Sequence, residues 1–122
     1  MARVVGIGGV FFRSADPSAL QAWYTTHLGL PADEDGYVVL RWEGEGTTTW
    51  APFPIDSSYF EPTTVPYMIN YRVDDLDEML AQLRASGVEV DSRIEEHPYG
   101  RFGWARDLEG NRFELWEPAP GH

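Results

Sequence analysis

The chain has 122 residues, of which nine are Arg, twenty are Asp or Glu and none is Lys or Cys, and its formal net charge is −11. This length predicts one domain with a hydrophobic core of its own. The lack of Cys and Lys excludes disulfides, thiolate metal sites and Schiff-base chemistry, and the negative charge disfavours nucleic acid and anionic membranes as partners. No apolar run approaches the length of a membrane span and the start carries no cleavage signal, so we expect a cytoplasmic protein.

The first half of the chain predicts a strand, a helix and two more strands. The segment FFRSADPSALQAWYTTHLGL (11–30) opens with an apolar run, and Asp16 and Pro17 then supply a helix cap and a first helical residue. Gly29 is expected just past the end of the helix. Two strands, 37–42 and 47–53, are predicted on either side of a GEG turn.

The second half repeats this order after a Ser, Thr and Pro-containing linker at about 56–66. A strand ends at Val73, and a helix follows whose first turn is acidic and whose end is marked by Gly87. The second half is longer between its helix and its last strand, so the extra strand predicted within 88–99 is fuller than its counterpart in the first half. Two more strands, 100–107 and 112–118, flank the turn LEGN.

Both halves close on a Trp-x-Pro sequence, at Trp50 and at Trp116, which aligns their final strands. The repetition predicts two βαβββ modules in one domain, about 4–55 and about 67–118, each of which needs the other to cover its sheet.

The order of these motifs resembles that of the vicinal oxygen chelate superfamily, also called the glyoxalase/bleomycin resistance/dioxygenase group. The resemblance is carried by 16–29 in the first module and by 73–75, 87–88 and 107–114 in the second. It implies an α+β fold in which two tandem βαβββ modules form a half-open, eight-stranded barrel-like sheet, with the helices on the convex side and a pocket on the concave side. Because many relatives are dimers, it also implies a homodimer.

The resemblance further implies four metal-ligand positions, on the first and last strands of each module. Glu114 occupies one of them, and its carboxylate is a competent ligand for a divalent metal. The matching positions are Gly9, Thr48 and Met68, which lack the usual His or Glu. We therefore make no firm prediction of a cofactor, and a divalent metal bound at Glu114 stays as an alternative.

The alternation of side chains along the strands predicts an aromatic and polar pocket around Glu114. Glu114 is the candidate catalytic residue, as a general acid or base that works without metal. Arg13 and Arg72 hold matching places in the two modules, and we expect them to pair with Glu114 in a charged network rather than to receive an anionic ligand. The expected ligand-binding residues are Arg13, Trp50, Met68, Asn70, Arg72, Tyr99, Arg101 and Trp104.

The leading prediction is a protein that binds a small organic molecule, aromatic or cationic, in this pocket without the usual complete metal site. Whether it is an enzyme stays open. One alternative is a metal-dependent lyase, isomerase or dioxygenase that uses Glu114, with His97 and Glu95 or Glu96 as candidate further ligands. The other is a dimeric interaction module whose pocket is vestigial.

Overall fold

The computed structural model describes residues 3, 7, 9–31, 38–42 and 44–122. Other residues of the predicted first module, 4–6, 8, 32–37 and 43, lie outside the described residues. No helix in the described part of the chain is long and apolar enough to cross a membrane. In chain order the elements are α1 (Pro17–Leu28), a 3-10 turn (Ser58–Phe60), β1 (Asn70–Arg72), α2 (Leu76–Ala85), β2 (Glu95–His97), β3 (Gly100–Arg106) and β4 (Arg112–Pro118).

The four strands form one mixed sheet in the order β1-β4-β3-β2. β1 runs parallel to β4, while β4 pairs antiparallel with β3 and β3 antiparallel with β2. With α2 between β1 and β2, the second half has the predicted β-α-β-β-β order. In the first half, the described residues 9–15, 38–42 and 44–57 contain no strand. The structure is thus a small α+β fold with an open four-stranded sheet, and the eight-stranded form with tandem modules stays a prediction.

Both helices begin and end where the sequence predicts. The Asp16 carboxylate accepts a hydrogen bond from the Ala19 amide at 3.2 Å, and Gly29 ends α1 with φ of 71°. The Asp75 carboxylate caps α2 in the same way, through the Glu78 amide at 3.0 Å. These caps satisfy amide groups that have no partner inside the helix.

The core lies between α2 and one side of the sheet. Leu76, Leu80 and Leu83 fall on a single stripe of α2 and pack against Phe113 and Leu115 of β4. At the centre of β3, a Cβ on Gly103 would lie 3.2 Å from Leu80 Cδ1, so glycine lets α2 approach the sheet closely. The second helix therefore covers one face of the sheet and leaves the other face to form a site.

The turn between β3 and β4 ties this sheet to α1. The Asp107 carboxylate, which is buried, accepts hydrogen bonds from the Tyr24 hydroxyl at 2.8 Å, from the amides of Glu109 and Asn111 at 2.9 Å, and from Asn111 Nδ2 at 2.9 Å. Gly110 completes the turn with φ of 81°, a conformation that favours glycine. Asp107 thus joins the β3–β4 turn to the first helix.

Glu109, in the same turn, predicts a pH dependence of folding stability. Its carboxylate accepts hydrogen bonds from the Ser14 hydroxyl at 2.8 Å and from the amides of Asp16 and Ala15 at 3.1 and 3.3 Å. These hydrogen bonds lower the pKa of Glu109 below its ordinary value of 4.5. The bond from Ser14 has the largest effect, and the two amides add to it. A carboxyl with a lowered pKa stabilises the folded state above its unfolded pKa, and this stabilisation is lost as the pH falls through the folded pKa.

We therefore expect Glu109→Gln to lower the free energy of unfolding at neutral pH and to have a smaller effect at about pH 3, because the stabilisation is lost as the pH falls through the lowered folded-state pKa. Urea unfolding at both pH values measures this difference, with Glu45→Gln, a substitution of an exposed glutamate, as the control. An equal difference between wild type and Glu109→Gln at both pH values would contradict the assignment.

Candidate functional site

The sheet face that α2 leaves uncovered carries aromatic and polar side chains. Alternation along the paired strands places on it Asn70 and Trp104, which stand on either side of Glu114, and Arg72 and Phe102, which stand on either side of Trp116. With Arg112 added, we call this surface the Glu114 face. It consists of Asn70, Arg72, Phe102, Trp104, Arg112, Glu114 and Trp116.

Glu114 is buried at the centre of this face, with 6% of its surface exposed. One carboxylate oxygen accepts a hydrogen bond from Asn70 Nδ2 at 2.6 Å. The other accepts from Trp104 Nε1 at 2.9 Å and from the Tyr59 hydroxyl. All three donors are neutral side chains, and a buried carboxylate is stable only when its oxygens are occupied in this way or paired with a cation.

Tyr59 is the one donor that comes from outside the sheet, because it lies in the 3-10 turn of the predicted linker. Its ring meets the Trp104 ring edge-on at 6.0 Å and stacks on Phe53 at 5.3 Å. Burial, followed by the hydrogen bond and the charge of Glu114, raises the pKa of the Tyr59 phenol. The phenol therefore stays protonated and donates.

The expected network between Arg72 and Glu114 does not form. The Arg72 guanidinium lies over the Trp116 ring at 5.0 Å and donates to the Thr47 and His122 carbonyls at 3.4 Å. The pairing register explains the difference, since Asn70 stands opposite Glu114 and Arg72 stands opposite Trp116.

Two other guanidinium groups surround the Trp104 ring. Arg93 lies 4.8 Å and Arg112 5.4 Å from its centre, and Arg112 also donates to the Asp91 carboxylate at 2.8 Å. Positive charge near an indole face is favourable because the face of the ring is electron-rich. Alternation along β4 puts Arg112 on the same face as Glu114, whereas Arg93 lies in a loop without periodicity and carries no such signal.

The aromatic surface continues towards the edge of the sheet. Phe102 stacks on Trp116 at 6.0 Å, and Trp116 Nε1 donates to the Tyr99 carbonyl at 3.1 Å. Tyr99 in turn stacks on His97 at 5.0 Å. Glu114 thus lies at one end of a run of aromatic rings that reaches the exposed edge.

Other predicted site residues lie elsewhere. Arg101 is on the opposite face of β3, where its guanidinium binds both carboxylate oxygens of Asp77 at 3.0 and 3.1 Å and lowers the pKa of Asp77. Met68 is half-buried next to β1, and Trp50 is 78% exposed. The remaining three positions, Gly9, Arg13 and Thr48, are exposed.

A surface cleft of about 300 Å³ lies away from the Glu114 face. It lies between the end of α1, the loop after α2 and the β3–β4 turn, and Trp23, His27, Arg106 and Leu108 are among its lining residues. It shares no residue with the Glu114 face, so ligand binding at the two places can be separated by mutation.

Metal ligands are sparse in the described residues. No group of three or more His, Asp or Glu side chains there could hold a metal ion together. His97 Nε2 and Glu95 Oε1 are 3.0 Å apart on β2, and the same glutamate also pairs with Arg93 at 3.2 Å.

The sequence model of the Glyoxalase/Bleomycin resistance protein/Dioxygenase superfamily matches residues 6–115 of the chain. The chain belongs to this superfamily. The resemblance drawn from the sequence motifs is therefore confirmed. No curated protein sequence matches this superfamily member.

Solved structures of the superfamily share the fold. A glyoxylase/bleomycin resistance protein/dioxygenase domain from Frankia sp. EAN1pec aligns over 98% of this chain and 96% of its own, with a TM-score of 0.60 and 17% identity. TnmS3, an antibiotic binding protein from Streptomyces sp. CB03234, aligns over 86% of this chain and 88% of its own, with a TM-score of 0.52 and 22% identity. A superfamily member from Sphaerobacter thermophilus DSM 20745 is 34% identical, but the alignment spans only 40% of each chain, with a TM-score of 0.37.

Proposed function

We propose that this superfamily member is a cytoplasmic protein that binds a small organic molecule on the Glu114 face, without the metal centre used by other members. The observation that carries the proposal is that both oxygens of the Glu114 carboxylate accept hydrogen bonds from neutral side chains. A carboxylate occupied in this way acts as a recognition group rather than as a metal ligand.

The donor set around Glu114 does not fit a divalent cation. Such a cation needs three or four protein ligands of the His, carboxylate or thiolate type. The three matching positions offer a glycine, a threonine and a methionine, at Gly9, Thr48 and Met68. The nearest alternative, Glu95 with His97, already pairs with the positive charge of Arg93, which opposes a second cation.

The aromatic rings of the face support an aromatic ligand. The rings of Trp104, Trp116 and Phe102 lie beside a few oriented polar groups, which is the usual composition of a small-molecule site. The net charge of −11 additionally favours cationic compounds through the field of the whole protein. TnmS3, which shares the fold, is an antibiotic binding protein, and this supports small-molecule binding here.

We also infer that the protein is a homodimer. Several large apolar side chains of the first half are mostly exposed, namely Phe11 at 91%, Trp42 at 85% and Trp50 at 78%. An exposed apolar surface built from such side chains would be typical of an interface. A second copy of the chain would cover it.

Native mass spectrometry tests these proposals together. Offered Fe(II), Mn, Ni and Zn in turn, the wild-type protein is expected to carry the mass of two chains and no stoichiometric ion. Offered a panel of neutral, cationic and anionic aromatic compounds, it is expected to retain at least one of them. Arg72→Ala removes a positive charge and uncovers the Trp116 ring, so it is expected to strengthen the retention of cationic aromatic compounds about threefold.

Leu108→Ala is the control, because this exposed residue lies in the separate cleft. Weaker binding in Leu108→Ala together with unchanged binding in Arg72→Ala would move the ligand to that cleft. One tightly held ion per chain, lost in Glu114→Gln, would instead establish the metal-dependent alternative.

A further inference from the structure

We propose that the ligand of the Glu114 face is a hydroxylated aromatic compound, and that Tyr59 occupies its place in the free protein. This inference rests on the proposed function and adds a ligand class and a competing group from the chain itself. We call Tyr59 in this role the internal ligand.

The contacts of Tyr59 define the chemistry that the face accepts. Its ring lies between the face of Phe53 at 5.3 Å and the Trp104 ring, which it meets edge-on at 6.0 Å. Its hydroxyl donates to a Glu114 carboxylate oxygen. A phenol is therefore held by two aromatic contacts and one charge-assisted hydrogen bond.

The other two donors to Glu114 belong to the sheet and remain when Tyr59 leaves. Asn70 and Trp104 stand on the strands that flank Glu114, in register with it. Without Tyr59, the carboxylate would keep these two donors and offer one free acceptor beside the part of the Trp104 ring that Tyr59 contacts. An aromatic hydroxyl compound supplies both the missing donor and the missing ring.

The segment that carries Tyr59 can leave without breaking the sheet. The backbone hydrogen bonds that the structure shows for Ser57 and Glu61 end at Pro54 and Ser58, and the Tyr59 amide donates to the Ser57 hydroxyl, so all of them close within the segment 54–61. Displacement of Tyr59 therefore costs one side-chain hydrogen bond and its ring contacts, and no bond of a β-ladder. This arrangement suits exchange between an internal and an external ligand.

While the internal ligand occupies the site, an external ligand cannot bind there. The apparent affinity for the external ligand is therefore its intrinsic affinity multiplied by the fraction of time that the site is free. Loosening or removing Tyr59 should therefore strengthen binding. Tyr59→Phe keeps the ring and removes the hydroxyl that donates to Glu114, so this variant is expected to fold and to hold its ring less tightly in the site. Tyr59→Ala empties the place altogether.

The test compares 2-naphthol with 2-methoxynaphthalene, which have the same rings but of which only the first has a hydroxyl donor. Isothermal titration calorimetry on the full chain is expected to show that 2-naphthol binds about threefold more tightly to Tyr59→Phe, and about tenfold more tightly to Tyr59→Ala, than to wild type. Asp56→Ala, an exposed substitution in the same segment, is the control and should bind as wild type does.

In Tyr59→Ala the methyl ether is expected to bind about tenfold more weakly than 2-naphthol, because it leaves the buried acceptor unsatisfied. Adding Glu114→Gln to this variant should shrink the preference to about threefold, since a neutral acceptor forms a weaker hydrogen bond than a carboxylate.

Equal affinity for the two compounds in Tyr59→Ala would overturn the ligand class while leaving aromatic binding intact. Unchanged affinity in Tyr59→Phe and in Tyr59→Ala would overturn the internal ligand. If neither compound binds to wild type or to either variant, this inference is overturned. The proposed function is overturned only if, in addition, the protein retains no member of the wider aromatic panel.

Discussion

Replacing Trp104 with alanine is expected to lower the free energy of unfolding by about 3–5 kcal/mol, the usual cost of deleting a buried large aromatic side chain. Trp104 is fully buried, its indole N–H donates to Glu114, and its ring contacts Tyr59 and the guanidinium groups of Arg93 and Arg112. The substitution removes these contacts and takes one donor from a buried carboxylate. Urea unfolding followed by circular dichroism measures the loss.

Two further variants separate the causes. Trp104→Phe keeps an aromatic ring and removes the N–H donor, so it is expected to lose about 1–3 kcal/mol, the cost of leaving a buried acceptor short of a partner. Leu108→Ala, at a position that is 54% exposed, should change stability by less than about 1 kcal/mol. A loss for Trp104→Ala as small as that of Leu108→Ala would show that the Glu114 face is not packed as described.

Asp107→Ala is expected to cost about 2–4 kcal/mol of unfolding free energy. The Asp107 carboxylate accepts four hydrogen bonds, from the Tyr24 hydroxyl, two amides of the β3–β4 turn and the side chain of Asn111. Alanine would leave these donors without their acceptor and would release α1 from the turn. Thermal unfolding and urea titration both measure the effect.

Asp74→Ala is the matched control for this experiment, because Asp74 is an exposed aspartate between β1 and α2. It should stay within about 0.5 kcal/mol of wild type, as exposed substitutions usually do. If Asp107→Ala also stays within that range, the β3–β4 turn does not anchor the first helix.

The elements that the sequence predicted well depend on local chemistry. Asp16 and Asp75 cap helices through amides only three residues away, and Gly29 ends α1 through its own backbone conformation. The β3–β4 hairpin is local too, since its turn supplies its own hydrogen bonds around Asp107. Such signals need no knowledge of the rest of the fold.

The strands predicted in the first half depend on pairing with distant segments, which a sequence pattern does not specify. The described parts of 11–15, 38–42 and 47–53 have strand-like composition and contain no strand. A pair of strands by itself is marginal in water until a further strand or a helix covers it. The pattern can therefore indicate that these residues favour strands without fixing where they pair.

The residues of the candidate site also divide into those that a local pattern predicts and those that depend on distant contacts. Alternation along β1 and β4 placed Asn70 and Glu114 on one face, because a period of two is a property of each strand alone. Tyr59 was missed because it lies in a segment without periodicity and reaches Glu114 across 55 positions in the chain. Its signal in the sequence was an aromatic pair, Tyr59 and Phe60, within an otherwise polar linker.

The position of β4 has a consequence for synthesis of the protein. β4 is the last of the four strands to be made, yet it lies between β1 and β3 and provides the only pairing partner of β1 within the described sheet. A nascent chain that ends before Pro118 carries β1 and the apolar stripe of α2 with no completed sheet to cover them. The ribosome must therefore release the chain through Pro118 before this core can close, and until then the growing protein is a natural client for chaperones.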